Sequence, residues 1–373
     1  MIIITTQCFP PRPGGIEHLM HALATALTDK GLAVQVWADG RGTPEEAAFD
    51  AKQAFAIRRF GGFKPWRRIR KARALGRLIA ESGCTGVVAD SWKSLEWLTP
   101  TIKIPVLCLA HGTELPAQAL GRKARRIVAA LGKTSAFVAN SRFTAQRLQA
   151  YAVDPARIHV IHPGLAAPAE PNQAMIDRIN RELAGSEPHL VSVGRLEPRK
   201  GVDSVLRVLP RLIEHHPRLL YLIVGDGSAR SHLESMVRQA ALTDHVRFMG
   251  AVSNEARNTY LAASDLFVLP GRAEGNDVEG FGIAFIEAAW FGVPAIADRS
   301  GGAGEAVLHE ETGLTCRGED DEAVFAAISR LLGDAELRRR LGHNARARAR
   351  QFLWENVADA YLSLLSAAPA ART

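Results

Sequence analysis

The chain has 373 residues and a net charge of +7, with 47% hydrophobic and 23% charged residues, which fits a folded protein of about two domains. Its apolar runs are shorter than the roughly 18 residues that cross a bilayer, and the start MIIITTQCF lacks the basic and long apolar regions of a signal peptide. The four cysteines are scattered, which argues against a zinc site or a disulfide framework and favours a cytoplasmic protein.

The first half alternates short apolar runs with helical patterns. From Ile16 onward, for example, Leu19, Met20, Leu23 and Leu27 form one apolar stripe of a helix. Strands are predicted at residues 2–6, 33–38, 85–90, 104–110, 135–140 and 156–162. This alternation predicts a parallel sheet with helices on both faces.

Residues 166–187 are rich in Ala, Pro and Glu and are predicted to be a linker. The alternation then restarts, with strands predicted at residues 189–194, 219–225, 245–250, 265–270, 294–298 and 313–316. Two such halves predict an α/β fold of two doubly wound, Rossmann-like domains that face a cleft, at residues 1–165 and 188–353. A last helical segment, 354–373, is expected to return to the first domain. Ligands of such sheets bind outside the carboxyl ends of the strands.

Two cations follow the first strand of the second half. In GRLEPRKG, Arg195 and Lys200 flank a turn that leads into a helix. A helix N-terminus carries about half a positive charge, so two adjacent cations would complete a diphosphate site. The alternative is a turn with two surface cations.

A carboxylate within an apolar helix is the second signal. In DVEGFGIAFIEAAWFGVPAIA, Glu279 lies in a loop and Glu287 lies within the predicted helix. An unpaired buried carboxylate costs several kcal/mol, so Glu287 needs hydroxyl or amide partners. Adjacent hydroxyls of a sugar or ribose would suit it. The alternative is that backbone amides of a neighbouring loop bind Glu287.

Other strand ends carry related motifs, namely PPRPGG at 10–15, HGTE at 111–114 and SGGAGE at 300–305. Together with GRLEPRKG and the two glutamates eight residues apart, they resemble the retaining GT-B glycosyltransferases of glycosyltransferase family 4 (GT4). The resemblance covers nearly the whole chain in order and spacing. FPPRPGGIE and DVEGFGIAFIEAAWFGVP most resemble bacterial α-mannosyltransferases of the phosphatidylinositol-mannoside and lipopolysaccharide type, many of which use GDP-mannose.

The resemblance implies a role for each matching residue. Arg195 and Lys200 would hold the donor diphosphate and stabilise it as a leaving group. Glu279 would bind the transferred sugar, and His111 would lie near its reacting carbon, which makes these four the predicted catalytic residues. Glu287 would bind the ribose. Glycine-rich turns would complete the donor site with Gly14, Gly15, Gly250, Val252, Phe281, Gly282 and Ile283.

The implied reaction is the retaining transfer of a hexose, with mannose from GDP-mannose as the best match, to a glycan, lipid-linked or phosphorylated acceptor. A UDP-sugar of glucose, galactose or GlcNAc is the alternative donor. The sequence has no Asp-x-Asp and no His/Cys cluster, so we expect neither a metal ion nor another cofactor. We assign no protein nucleophile.

Positive charge is concentrated in the first half. Residues 1–165 carry 23 Lys+Arg against 11 Asp+Glu (+12), and residues 166–373 carry 23 against 28 (−5), which gives the total of +7. The run KPWRRIRKARALGR at 64–77 is predicted to bind an anionic membrane surface at the inner face of the cytoplasmic membrane, or to form a positive wall for the acceptor. A solvated helix is the third reading. The residues concerned are Lys64, Trp66, Arg67, Arg68, Arg70 and Lys71.

Two other classes of protein remain as alternatives. A nucleotide-sugar epimerase would bind the donor but would need no basic first domain. A nucleic-acid-binding protein would need basic stripes interleaved with aromatic residues, which a 6% aromatic content does not supply. We therefore expect no nucleic-acid partner.

Overall fold

The computed structural model describes residues 1–99, 102–116, 121–275 and 277–367. The chain forms two compact units, unit 1 (Met1–Ala166 with the segment from Leu353 onward) and unit 2 (Ala167–Phe352). The last helix, expected at 354–373, is described from Trp354 to Ser366, and residues 368–373 lie outside the described part.

Each unit contains one parallel sheet. The strands of unit 1 are β1 Ile2–Thr6, β2 Val34–Asp39, β3 Ala56–Phe60, β4 Gly86–Ala89, β5 Val106–Ala110, β6 Ala136–Ala139 and β7 Ile158–Val160. Those of unit 2 are β8 His189–Val193, β9 Leu220–Val224, β10 Val246–Gly250, β11 Leu266–Leu269, β12 Ala295–Asp298 and β13 Gly313–Cys316. The strand orders are β3-β2-β1-β4-β5-β6-β7 and β10-β9-β8-β11-β12-β13. Both orders confirm the predicted doubly wound α/β class.

Helices cover these sheets. In the described residues they are α1 Gly15–Asp29, α2 Pro44–Asp50, α3 Lys64–Ala80, α4 Trp92–Leu95, α5 Gly121–Leu131, α6 Arg142–Gln149, α7 Gln173–Leu183, α8 Val202–His215, α9 Arg230–Gln239, α10 Asn254–Ala262, α11 Ile283–Trp290, α12 Ala303–Ala306, α13 Asp321–Gly333, α14 Ala335–Ala349 and α15 Trp354–Ser366. Within the described residues, every helix is too short or too polar to span a bilayer.

Successive residues of β1 face opposite sides of its sheet. Ile3 packs in one apolar core with Val87, whereas Ile4 packs in another with Val36 and Leu23. Strands buried on both faces have continuous apolar sequences, which is why most strands were predictable. The second core also contains α15, which packs on α1 and contributes buried residues including Trp354 and Tyr361.

Two elements differ from the sequence predictions. The strand β3, of sequence AIRRF, was missed; it lies at the sheet edge, where Arg58 stacks over Trp37 at 5.0 Å. The helix α7 lies inside the segment 166–187 that was predicted to be a linker. Its N-cap Asn172 accepts a bond from Met175, and Ile179 is buried, since α7 packs on α10 within unit 2.

Candidate active site

The carboxyl ends of β8 and β11 in unit 2 lie side by side where the strand order reverses. The turn 194–201 follows β8, and a long loop follows β11. Gly201 ends the turn with φ of 72°, and a Cβ at this position would lie 2.0 Å from the carbonyl oxygen of Pro270. A glycine is therefore required for the two loops to touch.

A cluster of charges links the two loops. Oε2 of Glu279 accepts a bond from the ammonium of Lys200 and another from Nη1 of Arg199, at 3.1 Å. Arg199 also pairs with Glu197 at 2.9 Å and with Asp277 at 3.4 Å. Lys200 is the only lysine between residues 167 and 352. The structure thus brings Lys200 and Glu279 together and adds Arg199, which the sequence reasoning had not assigned to the site.

The charges around them favour the ionised forms of Glu279 and Arg199. Burial would raise the pKa of Glu279, but Lys200 and Arg199 lower it below its ordinary value of 4.5. Burial likewise opposes the charge of Arg199, but Glu279, Asp277 and Glu197 outweigh it and raise the pKa of the guanidinium. Arg199 and Lys200 are thus two cations held by Glu279 beside the carboxyl end of β8.

Arg195 stands apart from this cluster. Its side chain is 70% exposed, and Nη1 pairs with Oε1 of Glu197 at 2.7 Å. An exposed ion pair contributes only about 0–1 kcal/mol, so an incoming anion can compete for Arg195.

The SGG motif supports the backbone of Glu279. The carbonyl of Glu279 accepts a bond from the amide of Gly302 at 2.8 Å. Gly301 has φ of 67°, and a Cβ there would lie 2.6 Å from that carbonyl oxygen. The motif therefore acts on the loop that carries Glu279 through close backbone packing.

Glu287 has a charged partner that the sequence reasoning did not name, and its contact with ligand hydroxyls stays a prediction. Its side chain is 16% exposed, and Oε1 lies 3.2 Å from Nη1 of Arg257 on α10. Burial raises the pKa of Glu287 above the ordinary 4.5, and Arg257 offsets part of that increase.

The helix α11 begins between the two glutamates. Gly282 precedes it, and no side chain caps its first turn in the described residues, so backbone amides there are available to a ligand. The ring of Phe281 is buried against Phe352 at 5.6 Å, so only the backbone of Phe281 can serve the site.

The remaining unit 2 candidates follow β10. Gly250 ends that strand with φ of 67°, and its carbonyl accepts a bond from the amide of Gly225 at 2.8 Å. Val252 is two residues further on, just before α10. Both therefore lie at the carboxyl edge of the sheet that also carries Lys200.

The candidates of unit 1 lie at the carboxyl edge of its own sheet. Gly14 and Gly15 open α1 after β1. His111 follows β5; its Nε2 donates to the carbonyl of Asp90 at 2.9 Å, and its backbone amide donates to Glu114 at 2.7 Å. These contacts fix the orientation of the imidazole.

The basic helix α3 divides into an inner and an outer face. Lys71 is 2% exposed and pairs with Asp39 at 2.8 Å, so its predicted contact with a membrane or an acceptor was wrong. Arg67 pairs with the same Asp39 at 2.8 Å, and Arg68 donates to Gln7. These arginines are half-buried.

Lys64, Trp66 and Arg70 lie on the exposed face of α3. Trp66 is 65% exposed, and Phe63, directly before the helix, is 73% exposed. Of the two faces of α3, this outer face is the one available to contact a membrane or an acceptor.

Within the described part of the chain, no three His, Cys, Asp or Glu side chains are grouped so that they could hold a metal ion. Metal independence stays a prediction.

Two family models match the chain. The model described as Glycosyltransferase Family 4 matches residues 13–167, and the model described as Glycosyl transferases group 1 matches residues 176–348. The second match contains the cluster around Lys200 together with both glutamates.

Similar sequences extend over the full length. The chain is 30% identical to the GDP-mannose-dependent alpha-(1-6)-phosphatidylinositol monomannoside mannosyltransferase of Mycobacterium tuberculosis, over 100% of this chain and 99% of that protein. It is 28% identical to a GDP-mannose-dependent monoacylated alpha-(1-6)-phosphatidylinositol monomannoside mannosyltransferase of Corynebacterium glutamicum, over 98% of both. A D-inositol 3-phosphate glycosyltransferase of Jonesia denitrificans is 31% identical over 62% of this chain and 57% of its own length.

Solved structures share the fold. HepE from Anabaena, crystallised with UDP, matches with a TM-score of 0.82 and 20% identity, over 98% of this chain and 99% of that one. WaaG, a glycosyltransferase involved in lipopolysaccharide biosynthesis, matches with a TM-score of 0.72 and 18% identity, over 98% of this chain and 100% of that one. These likenesses establish the GT-B fold.

Proposed function

Because this chain belongs to glycosyltransferase family 4 and is a hexosyltransferase of the GT-B fold, we propose that it transfers mannose from GDP-mannose, with retention of configuration. The proposed acceptor is a glycan, a lipid-linked sugar or a phosphorylated polyol. The choice of donor is supported by the two full-length relatives, both of which are described as GDP-mannose-dependent.

The observation that carries the proposal is the convergence of Lys200 and Arg199 on Glu279 beside the start of α11. Two fixed cations and uncapped helix amides form a site for a diphosphate. Glu279 offers carboxylate oxygens to sugar hydroxyls. Unit 2 is accordingly proposed as the donor-binding domain, and unit 1 as the acceptor-binding domain.

In the proposed reaction, the bond between the sugar carbon and the diphosphate oxygen breaks, and negative charge develops on the leaving diphosphate. Lys200, the exposed Arg195 and the first-turn amides of α11 stabilise that charge. The sugar carbon acquires oxocarbenium character, the acceptor oxygen forms the new bond to it, and the hydroxyl proton passes to the departing diphosphate oxygen. No protein nucleophile is assigned, and His111 is proposed to bind the sugar.

The donor is tested by thermal shift against GDP-mannose, UDP-glucose, UDP-galactose, UDP-GlcNAc, GDP and UDP. A ligand at 100 times its dissociation constant adds about 2.7 kcal/mol to the free energy of unfolding. GDP-mannose and GDP should raise the melting temperature most. A shift with the UDP compounds alone would replace the proposed donor by the alternative. Unchanged transfer in EDTA would support metal independence.

A peripheral position at an anionic membrane is the second part of the proposal. The aromatic–basic surface, defined as Phe63, Lys64, Trp66, Arg70 and Trp97, combines exposed aromatic rings with cations. Glu96, next to Trp97, forms ion pairs with Arg68 of α3 and Arg126 of α5, which ties the helices under this surface together. Helices that bind a membrane interface typically insert aromatic rings between the lipids, and their cations lie beside the anionic headgroups.

A further inference from the structure

Glu287 lies in an apolar environment with one cation beside it. On α11 its neighbours Phe285, Ile286 and Ala288 are all buried. The cation comes from α10, which packs on α11, and Nη1 of Arg257 lies 3.2 Å from Oε1 of Glu287. A cation beside a carboxylate limits the orientations that the carboxylate can take, and its oxygens keep lone pairs that can accept further hydrogen bonds.

Arg257 is itself held in place. Its Nη2 donates to Oδ1 of Asn258 at 3.2 Å, and Nδ2 of Asn258 donates to the carbonyl of Ala169 at 3.4 Å. Asn258 is buried, whereas the side chain of Arg257 is 25% exposed. The guanidinium therefore has a fixed position before it meets Glu287, and the contact costs little additional side-chain entropy.

The position of Arg257 along the chain connects two parts of the proposed donor site. It is the fourth residue of α10, which begins directly after the turn that contains Gly250 and Val252. The Nε atom of Arg257 is buried and has no hydrogen-bond partner among the described residues. A buried donor without a partner is uncommon in a folded protein, and it indicates a place that a ligand or water completes.

We propose that Arg257 is a positioning residue of the donor site, which orients the carboxylate of Glu287 toward the vicinal hydroxyls of the donor ribose. The inference rests on the proposed function, because it assumes that unit 2 binds a nucleoside diphosphate. Without Arg257 the carboxylate turns freely or takes up a proton in its apolar surroundings, and in either case it accepts less effectively from the ribose.

The test compares a nucleoside diphosphate with its 2′-deoxy counterpart by titration calorimetry. The nucleotide is GDP or UDP, whichever the wild-type protein binds more tightly. A hydrogen bond to a charged group should make the wild-type protein prefer the ribose form by about 10–100-fold. In Arg257→Leu this preference should fall to within about threefold, while Arg257→Lys should restore part of it. Arg238→Leu, at an exposed arginine of α9, is the matched control and should keep the full preference.

Glu287→Gln and the double variant Arg257→Leu/Glu287→Gln complete a thermodynamic cycle. If the two residues act together, the preference of the double variant for the ribose form is at least as large as that of Glu287→Gln alone. Should Arg257→Leu fail to fold, as judged by circular dichroism, Arg257→Gln takes its place. A variant at position 257 that folds and keeps the wild-type ribose preference overturns the inference and leaves the proposed function standing. A wild-type protein that binds neither GDP nor UDP overturns the proposed function instead.

Discussion

Lys200 donates a hydrogen bond to Oε2 of Glu279, the same oxygen that Arg199 reaches at 3.1 Å. The lysine therefore already has a counter-ion when a donor arrives. Because Arg199 also contacts this carboxylate, the carboxylate stays paired if Lys200 is engaged elsewhere. This redundancy determines what substitutions in the cluster should do.

Lys200→Ala should reduce kcat for sugar transfer about 100- to 1000-fold, because a fixed positive charge beside the leaving group is lost. The melting temperature should change little, since Arg199 still pairs with Glu279. Initial rates of transfer and thermal melts measure the two effects. Arg238→Ala serves as the control and should have normal rates; a Lys200→Ala enzyme with near-normal kcat would remove Lys200 from the mechanism.

Glu197→Gln should tighten the binding of nucleoside diphosphate by about two- to fivefold, since the exposed Arg195 no longer shares its charge with the half-buried carboxylate of Glu197. Arg199 keeps Glu279 and Asp277 as partners. Calorimetric titration measures the change, and Glu336→Gln, at an exposed position of α14, is the control. Weaker binding by Glu197→Gln would mean that Glu197 supports the site.

Glu287→Gln should raise the melting temperature at pH 8 while it lowers transfer activity. Burial raises the pKa of Glu287 in the folded state, so the ionised form reduces the free energy of unfolding at high pH. That penalty is lost as the pH falls through the raised folded pKa toward the ordinary value of 4.5. The difference in melting temperature between variant and wild type should therefore shrink from pH 8 to pH 5. A lower melting temperature for the variant at pH 8 would contradict this reasoning.

Lys71→Met should lower the free energy of unfolding by about 3–5 kcal/mol, because it leaves Asp39 with only Arg67 as a charged partner in a buried place. The substitution also removes the bond from Lys71 to the carbonyl of Thr6, at 2.6 Å. Urea denaturation measures the loss. Lys64→Met changes an exposed lysine of the same helix, and its free energy of unfolding should lie within about 0.5 kcal/mol of the wild-type value.

Trp66→Ala and Lys64→Ala should each weaken the binding of the protein to vesicles that contain anionic lipid. One cation near such a surface contributes about 1 kcal/mol, so Lys64→Ala should cost roughly fivefold in affinity at low salt. Sedimentation with vesicles of phosphatidylglycerol and phosphatidylcholine measures the binding, which added salt should reduce. Lys52→Ala, at an exposed lysine of unit 1, is the control. Equal binding by all variants, or to neutral vesicles, would argue against the aromatic–basic surface.

The elements that the sequence predicted are those with a repeating physical signature. Strands such as 104–110 were recognisable because both faces are buried, which requires an apolar residue at every position. The edge strand β3 has arginines at successive positions, and among its side chains only Phe60 is buried, so it lacks that signature. The helix α7 follows a stretch rich in Ala and Pro, whose composition concealed the capping asparagine at 172.

The partners of charged residues were harder to predict. Lys71 and Arg70 are neighbours in one basic run, yet one is buried against Asp39 and the other is exposed, because the rotation of α3 against its sheet decides which side chain meets the end of β2. Arg257 is 30 positions from Glu287 in the sequence, and their contact depends on the packing of α10 on α11. By contrast, Arg199 had a usable signal, since it adjoins Lys200 in the turn.

The return of α15 to unit 1 sets an order for biosynthesis. Unit 2 is one uninterrupted stretch of chain, so it can complete its interior while the ribosome is still translating the end of the message. Unit 1 cannot complete its core until α15 has been synthesised, because Trp354, Tyr361 and Leu365 belong to the same core as Ile4 and Leu23 near the amino terminus. A nascent chain that stops before Leu353 would leave the apolar residues that α15 covers exposed to water, chaperones and proteases. Every strand of both sheets would nevertheless have been synthesised by then.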